Sequence, residues 1–303
     1  MKKLATGLFC SLLSLAVFAQ SAPKNNTLLW KISGKNLAKP SYLFGTIHML
    51  CADDIQLSDS LQKAIAGSDR VYLEVDLDNM VEMVSVMTKM KMRNDTTLSD
   101  LLSKDDYEKV KTFFNKQGGL IPFSMLEKYK PLLAASTLME SSMDCKNPVA
   151  MEQLIMKEAK AKGKNIKGLE TMAYQMSIFD SIPYQAQAKQ LVSYVDNYGK
   201  NDDDSEFNAL TQAYRNQELD KLETLTKDDD MGISNFSDLL LYNRNKNWVT
   251  KLGDLLVNNS LVIAVGAGHL PGDKGVINLL RKAGYKVEPV ANEMIKKPKE
   301  KQL

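Results

Sequence analysis

The chain has 303 residues, of which 44% are hydrophobic and 25% are charged, with 39 basic and 37 acidic side chains. This composition excludes an intrinsically disordered chain, a collagen-like repeat and a polytopic membrane protein. Because the charges balance, the chain lacks the basic excess that nucleic-acid binding requires, and we do not expect nucleic acid as a partner.

The N-terminus has the features of a secretory signal. Two lysines precede an apolar stretch from residue 4 to 17, which is too short for a typical transmembrane helix, and Val17 and Ala19 are small side chains at the −3 and −1 positions of a cleavage site. We predict that residues 1–19 are cleaved off after Ala19. The mature protein, residues 20–303, would then be a single domain that is secreted or periplasmic, without a stable membrane anchor.

Cleavage would leave two cysteines, Cys51 and Cys145, in a chain that folds in an oxidising compartment. An even pair of cysteines in such a compartment is more often bridged than free. The sequence therefore predicts a disulfide between them, and two buried free thiols are the alternative.

The first structural elements after the signal are a hairpin, a helix and a strand. Residues 28–32 and 41–47 are rich in aromatic and β-branched side chains and predict the hairpin. Residues 57–66 have helical spacing, and residues 70–75 form a short apolar strand that contains Glu74 near its end.

A methionine-rich helix is predicted over residues 80–92. Four of its methionines follow a spacing of three and four residues and therefore share one helix face. We predict that this face packs in the core, and an apolar substrate groove is the alternative.

The middle of the chain is mostly helical in pattern. A strand over residues 165–169 interrupts it and leads into Glu170. A later strand, residues 261–265, is the most apolar in the sequence. Helices are predicted over 98–116, 124–142, 148–162, 184–198, 205–225, 235–257 and 275–283.

Only two histidines occur in the chain, and both end a Gly-x-x-His after an apolar strand, as Gly45 to His48 and as Gly266 to His269. A glycine at a strand end permits a sharp turn or a close approach, which would aim the imidazole into the crevice beyond the sheet. The two segments share a strand, loop, helix and strand order. We therefore predict that N- and C-terminal β-loop-α-β units close into one site, with the helical middle as an insertion.

Two histidines and a carboxylate make a three-ligand metal site of the catalytic kind. Glu74 is the preferred third ligand to His48 and His269, and Glu170 is the second choice. One carboxylate would ligate and the other would act as general base, or Glu170 would only hold the ligands in place. Arg244 is a candidate for binding a substrate carboxylate or an oxyanion. Ordinary pairing of these charged groups on strand ends and helices is the alternative for each of them.

Seven short segments resemble the TraB/GumN/PrgY family, which includes the Tiki proteases. The resemblance covers residues 28–290, and its two histidine motifs and strand-end glutamate map onto Gly45, His48, Gly266, His269 and Glu74. The segments are 29–32, 42–49, 72–74, 168–171 with Gln175, 244–245, 265–272 and 284–285.

The resemblance implies a mixed α/β (α+β) fold of two small related β-sheets with paired helices. It also implies metal-dependent proteolysis supported by manganese or cobalt, while the residues themselves suit zinc as well. The expected function is that of a secreted metal-dependent hydrolase, a peptidase with a peptide or protein substrate. Related proteins include erythromycin esterases and haem-binding proteins, so a non-catalytic binding protein that sequesters a peptide or haem is the alternative.

Overall fold

The described part of the chain comprises residues 26–53, 55–118, 121–141, 147–198, 206–227 and 234–295 of a computed structural model. The predicted signal sequence and Cys145 lie outside these residues. Among the described residues, no helix has both the length and the apolar character needed to cross a membrane.

The strands form one sheet of six and one sheet of two. They are β1 (Leu29–Ser33), β2 (Ser41–Thr46), β3 (Leu50–Cys51), β4 (Arg70–Val75), β5 (Pro148–Val149), β6 (Asn165–Glu170), β7 (Leu261–Gly266) and β8 (Lys286–Pro289). The larger sheet has the order β6-β4-β7-β2-β1-β8, and β3 pairs with β5 in the smaller one. The mixed α/β class predicted from the sequence is confirmed, and its two sheets are unequal in size.

The central strands explain how distant parts of the chain meet. β6, β4, β7 and β2 run parallel to one another, whereas β1 is antiparallel to both β2 and β8. β7 lies between β4 and β2, and its first five residues are buried, as expected for a continuous apolar run in a covered parallel sheet. The C-terminal strand β7 therefore joins the N-terminal strands β2 and β4 into one sheet.

The helices flank the sheet and form a second, helical core. They are α1 (Asp59–Gly67), α2 (Met80–Lys89), α3 (Leu98–Leu101), α4 (Lys104–Gln117), α5 (Phe123–Leu126), α6 (Pro131–Ser141), α7 (Met151–Ala161), α8 (Met172–Asp180), α9 (Tyr184–Asn197), α10 (Glu206–Arg215), α11 (Leu219–Lys227), α12 (Asn243–Asn258) and α13 (Val276–Lys282). A π-helical segment, Asp238–Tyr242, runs directly into α12. The second core joins α3, α4, α5, α6 and α9.

The periodicity predicts continuous helices over 98–116, 124–142 and 205–225, and the structure divides each of these three in two. Local capping explains the first division. The pattern over 98–116 becomes α3 and α4, because the hydroxyl of Ser103 accepts the N–H of Asp106 and so begins a new helix. The sequence does not predict the helix α8, because its apolar and polar residues are spread around the helix and give little helical periodicity.

The methionine-rich helix α2 turns its apolar face outward. Met80, Met83 and Met87 are 71%, 42% and 65% exposed, so the prediction that this face packs in the core is wrong for these three, whereas Met90 packs against the helical core. The spacing correctly gathers the methionines on one face, but periodicity does not specify what that face meets. These methionines do not belong to the cavity described below.

The small sheet carries one of the two cysteines of the predicted disulfide. Cys51 of β3 lies opposite Pro148 of β5, and the N–H of Ala52 donates to the carbonyl of Asn147 at 3.0 Å. This pairing holds Cys51 beside a segment only three residues from Cys145 in sequence, and the disulfide stays a prediction.

Candidate functional site

Four parallel strands deliver the candidate side chains to one edge of the sheet. Glu74 lies in β4 and Glu170 ends β6, while His48 follows β2 and His269 follows β7. Because the carboxyl ends of parallel strands meet at one edge, residues from both ends of the chain are brought together there.

The two glycines of the histidine motifs are required by close contacts. A Cβ on Gly45 would lie 3.1 Å from side-chain carbons of Leu28 and Leu270, and one on Gly266 would lie 3.2 Å from Oε1 of Glu74. The backbone of Gly266 has a negative φ, so the missing side chain, and not a left-handed turn, is what the site uses.

His269 is buried, and three side chains surround its ring. Nδ1 is 2.6 Å from Oδ1 of Asn245, and Nε2 is 3.1 Å from Nη1 of Arg244. The indole of Trp248 packs on the imidazole, with 4.5 Å between the ring centroids. Burial lowers the pKa of His269 to about 3, so the ring is neutral at physiological pH.

A buried guanidinium links the two candidate carboxylates. Arg244 donates from Nη2 to Oε2 of Glu74, and to Glu170 from Nη2 at 2.7 Å and from Nε at 3.0 Å. Its Nη1 donates to the carbonyl of Leu240 at 2.8 Å and faces His269. All five N–H donors of Arg244 are therefore engaged, and binding a substrate anion would require it to release one of them.

The two carboxylates differ in pKa because their surroundings differ. Burial by itself raises the pKa of Glu74, but the charge of Arg244 and the N–H of Gly266, 2.7 Å from Oε1, help to hold that pKa below its usual range. For Glu170 burial prevails and raises its pKa above the usual range, although the indole of Trp248 donates to its Oε2 at 3.0 Å. Glu74 is therefore the more firmly ionised of the two.

His48 differs from His269 in exposure and in its partner. Its side chain is 76% exposed, and Nδ1 lies 3.0 Å from Oε1 of Glu152, a buried carboxylate that also accepts from the hydroxyl of Thr46 at 2.7 Å. The hydrogen bond to Glu152 raises the pKa of His48, and solvent screening moderates the effect. Glu152 was not among the predicted site residues, because its position in the first turn of α7 is ordinary for a glutamate.

One cavity of about 400 Å³ contains both histidines, Glu74 and Arg244, and Gln175 donates from Nε2 to Glu74 at 3.1 Å on its border. Glu170 does not line this cavity and lies behind Arg244. The remaining wall is apolar and comes from α6, α8 and the π-helical segment. It consists of Leu133, Met176, Ile178, Phe179, Leu240 and Leu241.

The family resemblance implies a divalent metal ion, and the donors fit one in kind. Imidazole and carboxylate groups are the usual ligands of zinc and manganese, and the guanidinium of Arg244 already places a positive charge between Glu74 and His269. Within the described residues, however, no three side chains of His, Cys, Asp or Glu are arranged to hold a metal ion. The ligands are present but are not assembled around one point.

Comparison with known proteins agrees with the architecture of the site. The model of the TraB/PrgY/gumN family matches residues 28–289, which includes all the strands of the six-stranded sheet. The chain belongs to the TraB/PrgY/gumN family. No solved structure gives a significant match to the chain.

The curated relatives that match this chain are named as Tiki metalloproteases. The chain is 24% identical over 317 residues to Metalloprotease TIKI2 of Danio rerio, covering 87% of the chain and 61% of that protein. It is 24% identical over 324 residues to the Metalloprotease TIKI homolog of Nematostella vectensis, covering 88% and 68%, and 21% identical over 318 residues to Metalloprotease TIKI1 of Homo sapiens, covering 87% and 62%. The chain thus spans about three fifths of the Danio rerio and human relatives.

Proposed function

We propose that this chain is a secreted metal-dependent peptidase. The observation that carries the proposal is that one cavity is lined both by polar groups, which include the two histidines and Glu74, and by an apolar wall. A pocket with an apolar wall and a few convergent polar groups is typical of sites that bind and process organic substrates. The metalloprotease names of the relatives support peptide-bond hydrolysis as the reaction.

We assign His48, His269 and Glu74 as the residues that would hold the metal ion. When bound, such an ion polarises a carbonyl group and lowers the pKa of its water. Manganese, cobalt and zinc are the candidates. Secretion rests on the signal features of residues 1–19.

The remaining charged residues would keep Glu74 ionised and in place. Glu170 uses both oxygens on Arg244 and Trp248, which suits a positioning role better than that of a general base. Arg244 and Gln175 both donate to Oε2 of Glu74, while the N–H of Gly266 donates to Oε1. Glu74 is fixed by three donors before any substrate arrives.

The apolar wall indicates what the substrate presents next to the cleaved bond. Phe179 and Leu240 line the same cavity as the two histidines and Glu74. We therefore propose a peptide with a large apolar side chain beside the scissile bond. In a fluorogenic peptide library, Leu240→Ala should broaden or shift the preferred side-chain size. Unchanged preferences in Leu240→Ala and in Phe179→Ala would contradict this assignment.

The function is tested on purified protein comprising residues 20–303. We expect chelator-sensitive cleavage of quenched fluorescent peptides and bound divalent metal by elemental analysis. Both should be lost in His48→Ala and His269→Ala and strongly reduced in Glu74→Gln. Glu288→Gln is the matched control, because Glu288 also lies at a strand end but pairs with Lys286 on the surface.

The outcomes separate the proposal from its alternative. Peptide binding without turnover in any metal would indicate a sequestering protein, and a Soret band on adding haem would indicate a haem-binding one. Full metal content and full activity in both histidine variants would show that the two imidazoles do not share a site.

A further inference from the structure

Asn245 is a fully buried amide beside the ring of His269. It is 1% exposed and is the second residue after the start of α12, next to Arg244. Its Oδ1 lies 2.6 Å from Nδ1 of His269, while its Nδ2 lies 2.9 Å from the carbonyl oxygen of Lys274 and 3.3 Å from that of His269 itself. The side chain thus contacts both the ring and the backbone of His269.

These contacts fix which atom of the amide faces the ring. Backbone carbonyl oxygens only accept hydrogen bonds, so the NH₂ group of Asn245 must point at Lys274 and at the backbone of His269. A flipped amide would place its oxygen against two carbonyl oxygens. Oδ1 therefore faces the imidazole, and because it is an acceptor, Nδ1 of His269 must carry the proton.

The contact of the other ring nitrogen, Nε2, requires the same tautomer. Nε2 of His269 is 3.1 Å from Nη1 of Arg244, and a guanidinium has donors only. Nε2 must therefore accept and has an unshared electron pair. Two independent partners, one on each nitrogen, require the same tautomer, and the tilted indole of Trp248, packed against the imidazole, restricts rotation of the ring.

We propose that Asn245 is a positioning residue that holds His269 as the Nδ1–H tautomer, with the lone pair of Nε2 turned toward Arg244 and Glu74. Nε2 of His269 lies 3.7 Å from Oε1 of Glu74, in the wall of the shared cavity. An unprotonated Nε2 is the form that can accept a proton or bind a cation. Its use in catalysis rests on the proposed function, whereas the tautomer does not.

The chain is well suited to a direct measurement, because it has only two histidines. We would label histidine with ¹⁵N, remove metal with a chelator and record long-range ¹H–¹⁵N correlations near neutral pH. The signals of the two rings are assigned with His48→Gln. We expect His269 to show one protonated nitrogen, Nδ1, and one unprotonated nitrogen, Nε2.

Three variants test the role of Asn245 itself. Asn245→Leu removes the acceptor, and we expect the Nε2–H form to rise from undetectable to a measurable fraction. Asn245→Asp keeps an acceptor at the same place, and its second oxygen, which would face the carbonyl oxygens of Lys274 and His269, should stay protonated because of them and of its burial; this variant should retain the Nδ1–H form. Asn278→Leu is the matched control, because Asn278 also donates to a carbonyl of the loop after β7, that of Gly272 at 2.9 Å, and should leave the spectrum unchanged.

The results decide the inference separately from the proposed function. A wild-type His269 that is protonated on Nε2, or an Asn245→Leu spectrum identical to wild type, overturns it. If Asn245→Leu does not fold, the wild-type and Asn245→Asp spectra still decide the tautomer. With peptide as substrate, Asn245→Leu should lower kcat more than it changes KM and Asn245→Asp should restore part of the loss, while absence of any turnover would refute only the proposed function.

Discussion

Replacing Arg244 by methionine should remove the cation that two buried carboxylates share. Glu74 and Glu170 are 11% and 6% exposed, and the guanidinium that pairs with both is 7% exposed. Removing one partner of a buried ion pair costs about 3–5 kcal/mol, because the remaining charge is left uncompensated. We expect the free energy of unfolding in urea at pH 7, followed by circular dichroism, to fall by about that amount. The loss should shrink as the pH is lowered, since an unpaired Glu170 can then take up a proton.

Two further variants make this prediction decisive. Arg281→Met removes an exposed guanidinium that contacts the ring of Trp30 and should cost less than about 1 kcal/mol. The double variant Glu170→Gln with Arg244→Met removes a stranded charge and should be more stable than Arg244→Met alone. If Arg244→Met is as stable as Arg281→Met, or if the double variant is no more stable than Arg244→Met, the buried ion pairs of Arg244 do not stabilise the fold.

Three other predictions concern a glycine of the site, a partly buried aspartate and the expected disulfide. Gly266→Ala places a Cβ 3.2 Å from a carboxylate oxygen of the site, so it should lower the free energy of unfolding by about 1–3 kcal/mol and reduce peptide turnover. Gly253→Ala is the control, because its Cβ would have nothing within 4 Å, and it should stabilise α12 by up to about 1 kcal/mol. Equal shifts in melting temperature for the two variants would contradict the crowding argument. Burial raises the pKa of Asp180, but hydrogen bonds from a tyrosine and a lysine outweigh it and lower that pKa below its usual 3.8. The stability that Asp180 contributes is therefore present above pH 3.8 and is lost as the pH falls below that value. Urea unfolding between about pH 5 and 2.5 should show a shallower acid loss for Asp180→Asn than for wild type. Mass spectrometry of non-reduced peptides should find Cys51 joined to Cys145, and two alkylated thiols in the secreted protein would refute the bridge.

The strand-end residues could be predicted because their position depends on local sequence. An apolar strand that ends in Gly-x-x-His places the imidazole beyond the sheet wherever the strand lies, and parallel pairing of β2 with β7 then brings His48 near His269. The sheet order was not accessible in the same way, since it depends on which strands pair across long stretches of chain. The expected meeting of the two ends was inferred from their similarity.

The partners of the histidines could not be predicted, because nothing near them in sequence identifies them. Glu152 is the second residue of α7 and resembles any acidic residue that favours a helix N-terminus. Asn245 belongs to the family pattern, but its role depends on the loop that brings Lys274 beside it. Arg244 was expected to bind substrate, and only the structure reveals that its five donors are already taken.

The place of β7 in the sheet has a consequence for the order in which the molecule is made. β2 and β4 leave the ribosome early, yet they do not pair with each other and must wait for Leu261–Gly266 to fill the gap between them. Pairings of such long sequence separation form late and slowly in folding. No folding intermediate that lacks β7 can contain the site, so the activity proposed for it would be absent until the sheet is complete.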